Sequence, residues 1–567
     1  MRISALSGLS FLPKVSFNKI NNHSNSFTLP SLKNDTVSFS GKYSIKPVNV
    51  PKEDASAVAH SYRTSTAGHR AEYMGRTFTP SIVKLITLGM AGYVKDKAQK
   101  EGHKPTVLIG GDTRQATRES LPLISETLSS QGIDVLYVKE PVPSPLLALA
   151  AEENDIDLGV LMTASHNPWK DGGYNFLTDE GAIATSDITG KIAENIENIA
   201  ELGVYTENNL PQDKGSVTEI DPFDSYFDRI NNGLIDWNNI KESGLTVLYD
   251  GLQGTGNYVV PKLLQKEGIP FVSVESEGQE GPNPTEDNLQ ALKDAVSKNS
   301  DKGLVVGLSN DGDADRFGVV DEQGNFISTN DVLLLVAHHL ADNKGLKGGI
   351  VRSQSTSVQL DKIAEKHGLD VYETPVGFKY LGSDILKLRK NNDDILIAGE
   401  ESGGLTVHGH IPEKDGIIAV PLIMDLIATE KKPLSQILAD VKKDVGTYYL
   451  TNNISKKFDN EEDKDKIMQK AGALYERAMQ GDTDFYGTHE IDAQKTHDCR
   501  QRMESYKPGG DGYKFIMTDK SSVLIRKSGT EPMVRYRIEA AGDSEVDSMI
   551  NYTILSEDLY DFFNEDK

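Results

Sequence analysis

Cysteine is almost missing from this 567-residue sequence: Cys499 is the only one. No intramolecular disulfide can form, which excludes a disulfide-built secreted scaffold and fits a reducing compartment. Positive charge is also short, with 60 Lys and Arg against 85 Asp and Glu, a formal net charge of -25. Such a surface lacks the counter-charge that a phosphate backbone or an anionic membrane needs, so neither is expected as a partner. No apolar run approaches the length of a membrane span. A small anionic substrate is still compatible with this charge, provided that a local cluster of Arg and Lys reverses the field.

The first 50 residues are poor in acid. They hold one acidic residue, Asp35, beside Arg2, Lys14, Lys19, Lys33, Lys42 and Lys46, in a background of Ser and Asn. A disordered leader in a cytoplasmic protein is the expectation. An organelle transit peptide shares the same composition and is the alternative. The remaining length suits three to five domains. Apolar strand patterns at Thr106–Ile109, Leu158–Met162, Thr246–Tyr249, Leu304–Leu308 and Phe317–Val320 alternate with helical patterns such as Pro80–Lys100, which argues for α/β domains. Linkers are expected near Trp237–Gly244, Asn343–Gly349 and Asn453–Asp465.

Four clusters carry chemistry. Thr163-Ala164-Ser165-His166-Asn167-Pro168 directly follows a buried strand, where α/β proteins place ligands. Pro168 is expected to open a helix and aim backbone N–H groups at the loop. Taken alone, the segment reads equally as a Ser/Asn turn. Asp311, Asp313 and Asp315 recur at period two, so an extended segment would point them the same way. They repel one another unless a hard cation lies between them, and carboxylate oxygens select Mg²⁺ or Ca²⁺. Glu322 falls at position twelve of an EF-hand frame, but position six is Arg316 rather than Gly, which leaves Mg²⁺ as the better candidate. Gly399-Glu400-Glu401-Ser402-Gly403-Gly404 offers a carboxylate and a hydroxyl to vicinal sugar hydroxyls, or is a plain glycine-rich turn. Arg526-Lys527-Ser528-Gly529-Thr530-Glu531-Pro532, with Arg535, mixes cations, hydroxyls and glycine as an anion cradle does. A fifth, weaker hint is the proximity of His497 to Cys499, a pattern that nucleophilic thiols use.

In this order the four motifs resemble the α-D-phosphohexomutase superfamily, most closely phosphoglucomutase/phosphomannomutase enzymes. The resemblance spans about Tyr62 to Ala540 and includes Val259–Gly268, Pro282-Asn283-Pro284, Thr374–Lys379 and His410–Gly416. It implies three related α/β domains plus a C-terminal TATA-binding-protein-like α+β domain around a central cleft. The expected division is a leader at 1–55 and domains at 56–240, 241–345, 346–450 and 451–567.

The resemblance also implies roles. Ser165 becomes the phosphoserine and a metal ligand, with Asp311, Asp313 and Asp315 completing the Mg²⁺ site and Arg316 beside it. Glu400 and Ser402 hold sugar hydroxyls, while Gly377, Lys379 and Lys414 line the sugar site. Arg526, Ser528, Gly529, Thr530 and Arg535 hold the phosphate that is not being transferred. Ser65–Arg70 matches the N-terminal active-site loop, which places Arg70 in the site, with Ser65 in place of the usual Gly. His166, Lys379 and Lys414 are candidate acids and bases. Asn175 stands where the family has an active-site lysine, and Lys170 is the nearby substitute. The implied reaction interconverts hexose 1-phosphate and hexose 6-phosphate, glucose first and mannose second, with hexose 1,6-bisphosphate as intermediate and activator. Phosphoglucosamine mutase, metal-dependent sugar phosphatase and a catalytically silent relative are the alternatives. A monomer or homodimer acting on a small sugar phosphate is the expected form.

Overall fold

The computed structural model describes residues 37–39, 43–65, 68–208, 214–231, 233–276, 279–485, 489–499, 512–527 and 533–564. Three of its sheets share one plan. In the first, the strands run in the order His69–Glu72, Asp171–Leu177, Leu158–Met162, Thr106–Gly111, Asp134–Tyr137, Val217–Glu219. Leu158–Met162 is an unbroken apolar run, buried along its whole length, as a parallel strand covered on both faces must be. It pairs parallel with Thr106–Gly111, and Asp171–Leu177 then turns back antiparallel to it.

The second sheet repeats this reversal. Val305–Asn310 lies parallel to Thr246–Asp250, and Phe317–Val320 returns antiparallel. In the third, Ile395–Glu400 lies parallel to Gly349–Ser353, and Gly404–Val407 returns antiparallel. The connection at each reversal carries one of the motifs singled out above: 163–170, 311–316 and 401–403. One apolar cluster runs from Leu147 in the first unit through Val306 in the second to Ile417 in the third. The three reversals thus stand on a shared core.

The fourth sheet is antiparallel throughout, in the order Tyr448–Lys457, Met533–Gly542, Ser522–Lys527, Gly512–Ile516, His497–Asp498. Helices Glu461–Met479 and Glu545–Asn564 pack on it around a separate core containing Leu474, Phe515, Leu555 and Phe562.

The structure corrects several local expectations. Pro168 opens no helix; residues 163–170 are turns, and the Asp171–Leu177 strand begins three residues later. Asp311–Asp315 is a tight turn rather than an extended segment, with Ala314 at φ 55°. His69 and Arg70 belong to a strand, paired with Tyr174 and Gly173. Trp237–Glu242 is a helix rather than a linker, because Trp237 and Ile240 are buried on one side of it. The Asn453–Asp465 stretch divides between a strand and a helix whose N-cap is Asn460. Within the expected leader at 1–55, Val37–Phe39 and Tyr43–Pro47 form strands, and helix Lys52–Thr64 begins before its end and buries Ala55; residues 1–36 lie outside the described residues. No described helix is long and apolar enough to cross a membrane.

Candidate active site

Ser165 sits fully buried at φ 51°, in the left-handed region that a side chain occupies only under constraint. The constraint is Arg114. Its guanidinium donates to the carbonyls of Ser165 (2.5 Å), Asn167 (2.7 Å), Pro168 (2.5 Å) and Asp171 (3.3 Å). Asp112 holds Arg114 Nε at 3.0 Å and also accepts from Thr163 and Thr117. Thr163 Oγ1 in turn accepts from the Ser165 amide at 2.8 Å. A Cβ at Gly173 would lie 1.9 Å from the Thr163 carbonyl, so only glycine lets the returning strand close on this loop.

Ser165 Oγ donates to Asp311 Oδ2 at 2.8 Å and lies 3.3 Å from His166 Nδ1. Asp311, Asp313 and Asp315 are buried, with ligand oxygens within 4.8 Å of one another. Burial, and then Asp315 and Asp313, push the Asp311 carboxyl well above the usual carboxylate range. Burial and Asp313 raise Asp315 in the same way. Ser144 donates to Asp313 Oδ2 at 2.6 Å, but Asp313 Oδ1 and Asp315 Oδ1 are buried with no hydrogen-bond partner among the described residues. Three converging hard oxygens, two of them unpartnered, fit a Mg²⁺ ion.

Cations ring this acidic centre. Lys414 Nζ pairs with Asp315, and Arg316 Nε lies 4.0 and 3.9 Å from Asp311 and Asp315. Burial works against the Lys414 charge, yet Asp315, Glu413 and Asp313 outweigh it and hold the ammonium above its ordinary value. Arg70 is half-buried in the field of the same carboxylates, its Nε buried without a hydrogen-bond partner among the described residues. Burial, with Arg316, Arg70, Lys414 and Arg114 around it, pushes His166 down to about 2, so its imidazole is neutral at physiological pH.

Glu400 ends its strand buried, and the Gly377 amide donates to its Oε1 at 2.7 Å. Gly377 has φ 127°, a conformation that favours glycine, so the loop is shaped to reach that carboxylate. Burial and the neighbouring Glu401 push Glu400 up to about 7. Lys379 does not point into open space: its Nζ donates to Ser65 O (3.2 Å) and Ser186 Oγ (3.4 Å), and burial lowers it. Arg526, Arg535 and Ser402 meet at a cavity of about 220 Å³ whose lining also includes Arg537, Ser355 and Glu401. Ser528, Gly529 and Thr530 lie outside the described residues.

Asn175 is buried, and its amide donates to Leu161 O (3.1 Å) and Thr163 O (2.9 Å). Lys170 does not replace the missing lysine: it is exposed and paired with Glu72 at 3.3 Å. Cys499 is buried away from solvent, and burial pushes its thiol up to about 12, which disfavours the thiolate that a nucleophile needs. Arg114, Ser144, Glu401 and Arg537 are the contributors that sequence reasoning misses. Only Glu401 has a signal, as a member of the Gly399–Gly404 motif; Arg114 follows the Thr106–Gly111 strand with nothing local to mark it.

The comparisons agree with this geometry. Models of phosphoglucomutase/phosphomannomutase α/β/α domains I, II and III match residues 63–203, 224–324 and 328–444, and that of the C-terminal domain matches 490–552. A phosphoglucomutase of Staphylococcus haemolyticus is 26% identical over 88% of this chain and 92% of its own. A phosphoglucosamine mutase of Carboxydothermus hydrogenoformans is 26% identical over 84% and 95%. Among solved structures, the exocytosis-sensitive phosphoprotein pp63/parafusin of Paramecium, a phosphoglucomutase in its open form, superposes with a TM-score of 0.72 at 20% identity, covering 93% of this chain and 98% of its own. With all four domains matched in order, the chain belongs to the phosphoglucomutase/phosphomannomutase family of phosphohexomutases, enzymes that are intramolecular phosphotransferases.

Proposed function

We propose that the protein interconverts hexose 1-phosphate and hexose 6-phosphate, with glucose phosphate the first substrate and mannose phosphate the second, through phosphorylated Ser165 and a hexose 1,6-bisphosphate. The observation that carries this reading is the contact between Ser165 Oγ and Asp311 inside a buried carboxylate triad with two unpartnered oxygens. A serine hydroxyl in a plain turn has no reason to be fully buried against three acids.

Asp311, Asp313, Asp315 and Ser165 are the residues that would hold Mg²⁺. Bound there, the ion would neutralise charge on the phosphoryl group. The chain's own groups do the rest. Arg114 fixes the Ser165 backbone, since phosphoryl transfer depends mainly on alignment. Arg526 and Arg535 grip the distal phosphate by bidentate-capable guanidinium groups, in either orientation of the sugar. Glu400 and Ser402 take sugar hydroxyls. The proton donor is assigned to Lys414, whose ammonium is held charged by Asp315 and Glu413; neutral His166, 3.3 Å from Ser165 Oγ, and Lys379, lowered by burial, are the candidate bases. Lys414 pairs directly with Asp315 of the metal loop.

The test is incubation of the purified protein with Mg²⁺, glucose 1-phosphate and a trace of glucose 1,6-bisphosphate. Formation of glucose 6-phosphate is expected. Free phosphate alone would establish a sugar phosphatase, and no turnover of any hexose phosphate would establish a silent relative. A higher kcat/KM on glucosamine phosphate than on glucose or mannose phosphate would reassign the substrate.

A further inference from the structure

The carboxylate of Asp415 is fully buried and accepts four hydrogen bonds. Its Oδ1 caps helix Gly416–Glu430 through the amides of Ile417 (2.7 Å) and Ile418 (3.1 Å). Its Oδ2 accepts from Tyr226 Oη at 2.5 Å and from His410 Nε2 at 2.6 Å. Tyr226 is itself fully buried, on helix Phe223–Ile230 between the first and second sheets, 189 residues away in sequence. With every donor in place, this carboxylate has one position.

The residues beside it are pinned as well. Glu413 Oε2 accepts from the Ile183 amide of the first unit at 3.1 Å, and the Gly416 amide donates to Ala314 O of the metal loop at 3.1 Å. A Cβ at Gly416 would lie 2.3 Å from Arg316 O, so this approach is as close as backbone allows. Lys414 is therefore carried on a loop of the third unit that is fastened to the first unit, to the connecting helix and to the metal loop. Its own side chain is long and flexible, and where the ammonium lands depends on where its backbone is held.

We propose that Tyr226 is a positioning residue for phosphoryl transfer: its hydroxyl, through Asp415, fixes the backbone from which Lys414 reaches Asp315. The inference rests on the assignment of Lys414 made above. Without the Tyr226 hydroxyl, a buried carboxylate oxygen keeps one donor of two, and Asp415 recentres toward His410. Lys414 then loses its aim at the metal loop, while the arginine-lined cavity is untouched. The effect belongs in kcat rather than KM.

The experiment is a double-mutant cycle on the full-length enzyme with Tyr226→Phe, Lys414→Met and the pair, with Tyr62→Phe as a control. Tyr62 is another buried tyrosine whose hydroxyl bonds a backbone carbonyl, Tyr174 O at 3.0 Å. Tyr226→Phe is expected to lower kcat about tenfold, the effect of one charge-assisted hydrogen bond, with KM for glucose 1-phosphate changed less than about twofold and no further loss in the Lys414→Met background. Additive losses, a change mainly in KM, or an equal loss in Tyr62→Phe would overturn the positioning role while leaving Lys414 in place. Full activity in Lys414→Met would instead remove the Lys414 assignment, and the inference with it. If Tyr226→Phe does not accumulate as folded protein, His410→Gln, which alters the other donor on Asp415 Oδ2, enters the same cycle with the same expected result.

Discussion

The hydroxyl of Ser165 and the carboxylate of Asp311 meet at 2.8 Å, although they stand on the reversals of two different sheets. The nucleophile and its proposed metal site are thus brought together only by packing of the first two units. Ser165→Ala should lower turnover by roughly a thousandfold or more, since no other group at that point can carry the phosphoryl. Intact mass should show phosphate on the parent enzyme and none on the variant. Retained full activity would remove the phosphoserine.

The metal site has its own signature. Asp313→Ala removes one of the two unpartnered carboxylate oxygens, so the Mg²⁺ concentration for half-maximal activity should rise at least about tenfold. The same substitution relieves like-charge repulsion on Asp311 and Asp315, both of which Asp313 pushes up. In metal-free buffer the variant should therefore unfold at a higher temperature than the parent. Added Mg²⁺ should raise the parent's Tm and leave the variant's nearly unmoved.

Glu400 makes stability depend on pH in a defined direction. The folded protein keeps this proton up to about 7, whereas an ordinary glutamate loses it at 4.5. Between those values the folded state binds more protons than the unfolded one, so stability is fully present below the lower value and falls as pH rises through the upper. The loss attributable to this one group is on the order of 3 kcal/mol. Glu400→Gln should flatten urea-derived stability between pH 4.5 and 7. An unchanged slope would show that Glu401 or the Gly377 amide sets the balance differently.

How much of this is legible in the sequence depends on range. The strands Leu158–Met162 and Phe317–Val320 are apolar runs with clear ends, and their identity is local. That the three acids act together is legible from their period-two spacing, but their geometry is not: that spacing suggests an extended strand, while Ala314 at φ 55° folds the segment into a turn. Arg114 reads as a loop residue after a strand, because nothing near it announces that it will collect the Ser165 carbonyl 51 residues later. Tyr226 is invisible for the same reason over a longer distance. Lys379 reads as a substrate contact, and only the fold shows its ammonium engaged by the first unit.

Arg114 offers a direct test of that long-range control. Its planar fork serves four carbonyls and a carboxylate at once, which a lysine ammonium cannot reproduce. Arg114→Lys should cost about 2 to 4 kcal/mol in unfolding free energy, because buried carbonyls lose their donors. It should also lower kcat more than it raises KM, since the Ser165 backbone loses the contacts that hold it at positive φ. Urea titration and steady-state kinetics check the two effects separately.

Asn175 tests whether the position of the family's lysine still takes part in proton transfer. Its amide is spent on Leu161 O and Thr163 O, and a Cβ on Gly68 would lie 2.6 Å from its Oδ1, so the side chain is wedged between backbones. Asn175→Ala should therefore cost roughly 1 to 3 kcal/mol of stability while kcat of the folded enzyme stays within about threefold. Asn175→Asp has the same shape but replaces the donor by a carboxylate facing two carbonyl oxygens. It should destabilise more than the alanine variant at pH 7, and the gap should narrow in acid as that carboxylate protonates. A large fall in kcat with Asn175→Ala, at unchanged stability, would return this position to the chemistry and take the assignment away from Lys414.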